Sequence, residues 1–312
     1  MNAPEPNAEF DLSCEGGVTL RAYRWDPSGE VRGVLVLAHG MGEYACRHGR
    51  LARVFSGIGL VVYAHDERGH GQAALAAGTM GHFADHDGWR LAVSDIHSLQ
   101  QYAAQQHPGC KVLFYGQSMG SMLGQEYLIT HGSNLDGVFL AGTGGGQGAL
   151  LRVAQTIALA ERARLGPRKR SSVLDAITFG SYNRQFKPAR TEFDWLTRDA
   201  AEVDKYIQDP LCGGTLTTQS WLDMFRGLSQ VENVHRQALI PKGLPVFIFA
   251  GDRDPVGNNG KGPRWLHDRY RKVGMTAAEL KLYPGARHEM PNETNREEVF
   301  ADLVRFAESV LS

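Results

Sequence analysis

The sequence predicts a doubly wound α/β fold, with a mostly parallel sheet and a helical cap inserted between two of its later strands. Three observations carry the prediction. Apolar runs of strand length recur at 34–38, 60–64, 111–115, 136–141, 245–250 and 279–283, each closed by Gly, His or Pro. Runs this short, bounded by turn residues, suit strands buried on both faces of a parallel sheet. Segments of helical spacing at 89–106, 119–131, 265–272 and 296–310 alternate with several of them, as crossover connections require. The alternation then fails between about Gly146 and Pro241, where the chain turns polar, aromatic and helix-like. A block of roughly ninety residues without a strand is too long for a loop and reads as an inserted helical subdomain.

Taken in order, "VTLRAYRW" alternates apolar and polar residues, the mark of an antiparallel strand with one wet face. The run 34–38 leads into "HGMGEYACRHGR", and 60–64 into "DERGHGQ". The run 111–115 breaks at Gly116-Gln117-Ser118-Met119-Gly120, after which Met119, Met122, Leu123 and Tyr127 share one helical side. The expected division is a first core part over 1–145, a cap over 146–241 and a second core part over 242–312. Ligands of open parallel sheets bind beyond the carboxyl ends of the strands, so a cap inserted there lies over the site.

Composition narrows the function classes. A formal charge of -1 gives no field for polyanions, and no nucleic-acid partner is expected. The four cysteines form no C-x-x-C pair, and "MNAPEPNAEFDL" lacks the basic and apolar regions of a signal peptide. Both point to a cytoplasmic protein. The apolar runs fall far short of the ~20 residues of a membrane-spanning helix, which leaves transient contact with a lipid surface as the membrane interaction open to the chain. Oligomeric state is not encoded in any of these features.

The chemistry centres on Ser118. In a chain with 37 glycines a Gly-x-Ser-x-Gly match is weak by itself, but here it joins a buried strand to a helix. That is the setting of a nucleophile elbow, where the glycines admit a close helix–strand approach. A serine nucleophile needs a base held by a carboxylate, in the order serine, acid, histidine along such a chain. Downstream of the run at 245–250 stand His267, within a helical pattern, and His288, in the loop "YPGARHEM". A base must reach over the strand ends from a loop, which selects His288. For the acid, "GDRDPVGNN" offers Asp252 and Asp254; Pro255 biases Asp254 toward an extended backbone, whereas Asp252 is placed to shape the turn. Oxyanion donors are expected from the backbone N–H of Met119, at a helix N-terminus, and of Met41, in the His39-Gly40-Met41-Gly42 turn. His39 itself reads as a structural hydrogen-bonder. Gly40, Gln117, Met122, Phe179 and Trp195 are candidates for the substrate pocket, with Phe186 and Trp221 as further cap aromatics.

With these residues in place, the chain resembles the α/β-hydrolase family and its monoacylglycerol lipase and bacterial lysophospholipase-like branch. "HGMGEYACRH" is similar to that branch's oxyanion loop, "DERGHGQ" to its GHG loop, "YGQSMGS" to its elbow, "GDRDPVG" to its acid turn and "YPGARHEMPNE" to its base loop. The resemblance supports Asp254 over Asp252. It implies a serine esterase without metal or organic cofactor, acting on small acyl esters such as monoacylglycerol or lysophospholipid. Two positions depart from the pattern: Ser121 replaces a glycine, with looser helix packing as the expected effect, and Ala73 replaces a serine.

Rival readings are weaker. "GTGGGQG" does not fit a dinucleotide-binding frame, and "NNGKGP" fails phosphate-loop spacing. A metal-dependent hydrolase would draw on His39, His65, His70, His82 and His86 with Asp66, Asp85 and Asp87, yet no H-E-x-x-H or H-x-H-x-D-H run occurs among them. A non-catalytic ligand-binding relative would be expected to lack a triad residue, and none is missing.

Overall fold

A computed structural model describes residues 4–312. Residues 1–3, the start of the stretch read for a leader, lie outside it. In chain order the elements are β1 (Ala8–Cys14), β2 (Val18–Trp25), β3 (Gly33–Ala38), α1 (Gly49–Ser56), β4 (Leu60–His65), α2 (Gly71–Ala77), α3 (Gly88–Gln106), β5 (Lys111–Gln117), α4 (Met119–His131) and β6 (Gly137–Ala141). There follow α5 (Ala149–Leu165), α6 (Ser172–Phe179), α7 (Ala200–Gln208), α8 (Thr218–Val231), α9 (Val234–Gln237), β7 (Val246–Gly251), α10 (Lys261–Lys272), β8 (Ala278–Tyr283) and α11 (Arg296–Leu311).

Eight strands form one sheet in the order β1-β2-β4-β3-β5-β6-β7-β8. β1 pairs with β2 and β2 with β4 antiparallel; every later pairing is parallel. Burial follows position in the sheet. The central strands β3, β4, β6 and β7 are buried at every residue, whereas the edge strands β1 and β8 mix buried and exposed positions. Two apolar clusters fill the faces. One places α3, α4 and α10 against the sheet with α8 packed outside α3 and α4; the other packs α1 and α11 on the opposite side around Phe55, Phe139, Phe247 and Phe306.

Two sequence expectations change here. α4 is buried all round from Met119 to Ile129, not along one side, because α3 and α8 cover the face that the sheet does not. Ser121 does not loosen the packing: its buried hydroxyl turns back and donates to the Ser118 carbonyl at 2.6 Å. Between β6 and β7 the chain forms α5–α9, and its one strand-like contact there is the isolated bridge Arg170–Thr217. α8 starts on Thr217, whose side chain accepts from the Ser220 N–H, and α5 packs along it. Among the described residues no helix is long and apolar enough to cross a membrane.

Candidate active site

The carboxyl ends of β3, β5, β7 and β8 deliver the candidate residues to one edge of the sheet, the position at which open parallel sheets bind ligands. At the end of β5, Ser118 holds φ 50° and ψ -115°. A non-glycine residue there carries a strain of about 1–3 kcal/mol, which the surrounding packing has to impose. Packing does so through backbone contact. A Cβ on Gly120 would lie 2.2 Å from the Ala38 carbonyl oxygen, and one on Gly116 2.5 Å from that of Gly120. Neither glycine admits a side chain, so the strand-to-helix turn is as tight as the sequence pattern requires. Met119 opens α4, placing its N–H among the unpaired donors of a helix N-terminus.

His288 and Asp254 meet from the ends of β8 and β7. The His288 Nδ1–H donates to Asp254 Oδ2 at 3.0 Å, and Asp254 Oδ1 accepts from the Val256 N–H at 2.9 Å. Both side chains are buried. A carboxylate can only accept, so the contact assigns the proton to Nδ1 of the neutral ring and leaves Nε2 as its acceptor. Burial lowers the His288 pKa, but Asp254, with smaller contributions from Glu289 and Glu43, outweighs burial and holds it above the ordinary imidazole value. Asp252 shapes the turn, as its position suggests, by accepting the Gly285 N–H at 2.7 Å.

The loop after β3 is pinned beside Ser118: a Cβ on Gly40 would meet the Ser118 Cβ at 3.3 Å. The Gly40 N–H donates to Glu43 Oε1 at 2.6 Å, while the Met41 N–H has no acceptor among the described residues. Glu43, Arg47 and Glu289 then form a buried network. Arg47 Nη1 donates to Glu43 Oε2 at 2.6 Å and to Glu289 Oε1 at 2.9 Å, and Nη2 to Glu289 Oε2 at 3.0 Å. The Tyr206 ring of α7 lies 4.8 Å from the same guanidinium. One arginine thus ties the loop after β3, the loop after β8 and the helical insertion. In the sequence these residues stand inside the oxyanion-loop and base-loop motifs, where nothing assigns them a role. The signal was the Glu43–Arg47 spacing; the contact with Glu289, 242 residues away, was not visible.

Ser118, His288, Gly40, Met41, Gln117, Met119, Met122, Phe179 and Trp195 all line one cavity of about 510 Å³. The insertion supplies much of its wall, including Tyr182, Phe193, Trp221 and Met224. Trp195 stands 5.1 Å from the His288 ring, centre to centre. Phe186 lies elsewhere, with its ring beneath the Arg287 guanidinium at 4.2 Å, so it is not a pocket residue. The charged residues of the lining are Glu43, Asp175, Glu192 and Glu289; no Lys or Arg is among them.

The histidines and aspartates of the metal reading meet at most in pairs, such as His39 with His70 and His82 with Asp85. Among the described residues no three His, Cys, Asp or Glu side chains are grouped to hold a metal ion. His39 bonds backbone groups, His82 contacts Thr217 and Asp85, and Asp66 accepts from Ala45 and Tyr23.

The chain as a whole is similar to known proteins. Residues 29–295 match the family described as Serine aminopeptidase, S33. The chain is 30% identical to a monoacylglycerol lipase of Mycolicibacterium smegmatis, covering 97% of this chain and 98% of that one. It is 29% identical to the human monoglyceride lipase over 91% of this chain and 85% of the other. A thermostable carboxyl esterase from Bacillus coagulans, solved in complex with glycerol, superimposes with a TM-score of 0.89 at 27% identity, covering 98% and 99% of the two chains. A match over most of the chain, on the fold and with relatives of nearly equal length, shows that this protein belongs to the α/β-hydrolase family, in the company of the monoacylglycerol lipases.

Proposed function

We propose that this carboxylic ester hydrolase cleaves esters of single-chain acyl groups through an acyl-enzyme. Ser118 attacks the ester carbonyl, and His288 Nε2 takes its proton and returns it to the departing alcohol. Asp254 orients the ring and stabilises the imidazolium. The N–H groups of Met41 and Met119 receive the oxyanion, and water repeats the sequence to release the acid. Residues 146–241 act as the cap over this site. The observation that carries the reading is the meeting of a strained serine, a carboxylate-held histidine and an unpaired loop amide around one largely apolar cavity.

The charge of the lining favours one substrate class. Four carboxylate residues and no cation face the cavity, and Arg47 behind it is already committed to Glu43 and Glu289. An anionic head group finds repulsion there, whereas the neutral polyol of a monoacylglycerol does not. Exposed Leu150, Val153, Val173 and Ile177 on α5 and α6 suit passing contact of the cap with a lipid surface. Ser118→Ala should abolish hydrolysis and labelling by a fluorophosphonate. Turnover of monoacylglycerol should exceed that of the lysophosphatidate of equal chain length. Full activity in the serine variant would end the acyl-enzyme reading; the opposite preference would end the substrate assignment.

A further inference from the structure

The loop "DERGHG" after β4 has no part in the reaction as described, yet it holds the one side chain that grips the Gly40–Met41 peptide. His39 is fully buried between the two loops. Its Nε2 lies 2.8 Å from the backbone nitrogen of Glu67, and its Nδ1 2.7 Å from the Gly40 carbonyl oxygen. A backbone N–H can only donate, so Nε2 is the acceptor. The single proton of the neutral ring is therefore on Nδ1 and is given to Gly40. The carbonyl of Gly40 and the N–H of Met41 belong to one trans peptide and point to opposite sides of it. Holding the carbonyl on one side aims the Met41 N–H at the other. The preceding amide is held as well, by Glu43 Oε1 at 2.6 Å. A second strut joins the same two loops, since Asp66 Oδ1 accepts the Ala45 N–H at 2.9 Å.

We infer that His39 is a positioning residue for the oxyanion hole, fixed in its Nδ1–H tautomer by the Glu67 N–H and orienting the Met41 N–H through the Gly40 carbonyl. The "DERGHG" loop is the brace of that relay. The inference rests on the assignment of Met41 as an oxyanion donor.

Two amide substitutions separate the halves of the ring. In His39→Asn the side-chain NH2 can occupy the place of Nδ1 and keep a donor to Gly40. In His39→Gln the longer side chain reaches the place of Nε2 and keeps the acceptor for Glu67 alone. Loss of a whole oxyanion donor lowers kcat by about 100–1,000-fold, so a misaimed one should lower it by about 10–100-fold. We expect that loss in His39→Gln and His39→Leu, a loss within about threefold in His39→Asn, and KM nearly constant throughout. Binding of an alkyl trifluoromethyl ketone, which forms a hemiketal oxyanion on serine, should weaken in the same order as kcat/KM. A role in folding alone would make activity follow thermal stability, with no such order. Equal losses in the Asn and Gln variants, or ketone affinity unchanged by them, would overturn the inference. So would an Nε2–H tautomer, measured in the unaltered protein by ¹⁵N NMR of labelled histidine, a test that needs no variant to fold. Failure of the underlying reading looks different: Ser118→Ala would then stay active and the fluorophosphonate would not label the wild-type protein.

Discussion

His288 sits between opposing influences: burial lowers its pKa, while Asp254, Glu289 and Glu43 raise it and prevail. As the proposed base, His288 would work as the neutral ring, so activity is expected to fall as pH drops through its folded-state pKa. The acid limb of kcat/KM should therefore have its midpoint above about 6.5, the ordinary imidazole value. Glu289→Gln removes one of the raising charges and should move that limb to lower pH; a limb that stays in place would show that Glu289 does not help set it. At this scale the sequence was informative where chemistry demands a type of residue in a fixed order. Ser118, His288 and Asp254 could be proposed because an elbow, a loop histidine and an acidic turn each follow a strand. The Glu43–Arg47–Glu289 network could not, since any charged residue on a loop reads as solvated until the fold buries it. The tautomer of His39 depends in the same way on a backbone amide 28 residues distant.

Among the elements, the buried parallel strands were legible because their continuous apolar runs have few other uses. β1 was missed although "AEFDLSC" alternates apolar and polar residues throughout; its place in the sheet follows from antiparallel pairing with β2 through a tight turn. The helices of the insertion also escaped detailed assignment, because their partners are one another and the outer faces of α3 and α4 rather than the sheet. α4 offers a prediction of its own. Gly120→Ala would press a Cβ into the Ala38 and His39 carbonyls, backbone atoms that cannot swing aside. We expect a loss of about 1–3 kcal/mol in stability from the overpacked contact, and a larger proportional loss in kcat than in folded yield, because Ser118 is the N-cap residue of α4. Ser121→Ala removes only the bond to the Ser118 carbonyl and should cost about 1 kcal/mol. Urea titration and single-turnover kinetics on both variants would separate packing from positioning.

Across the whole molecule, the insertion meets the core through charged contacts as well as apolar ones. Arg198 Nε bonds Glu293 Oε2 at 2.7 Å, the Glu289 N–H donates to the Leu196 carbonyl at 2.7 Å, and Arg47 joins the loops after β3 and β8 beneath Tyr206. Of these, Arg47 bonds two buried carboxylates at once. Glu43 is held well below the usual carboxylate range despite its burial, because His48 and Arg47 beside it favour the charged form. Arg47→Met would leave Glu43 and Glu289 buried without their shared cation, and breaking such a pair typically costs about 3–5 kcal/mol. Replacing Glu289 as well removes one of the two stranded charges, so Arg47→Met with Glu289→Met should recover part of the stability lost in the single variant, Glu43 keeping only His48 beside it. Activity should not recover with it, since the tie between the oxyanion-side loop and the His288 loop is still absent. Arg47→Lys separates the remaining possibilities: it keeps the charge but loses the two-pronged bond to Glu289, and should fold well while turning over more slowly. Thermal melts and kcat measured on the same three preparations make the comparison. If the double variant regains activity together with stability, Arg47 serves the fold alone and the site tolerates independent movement of its two loops.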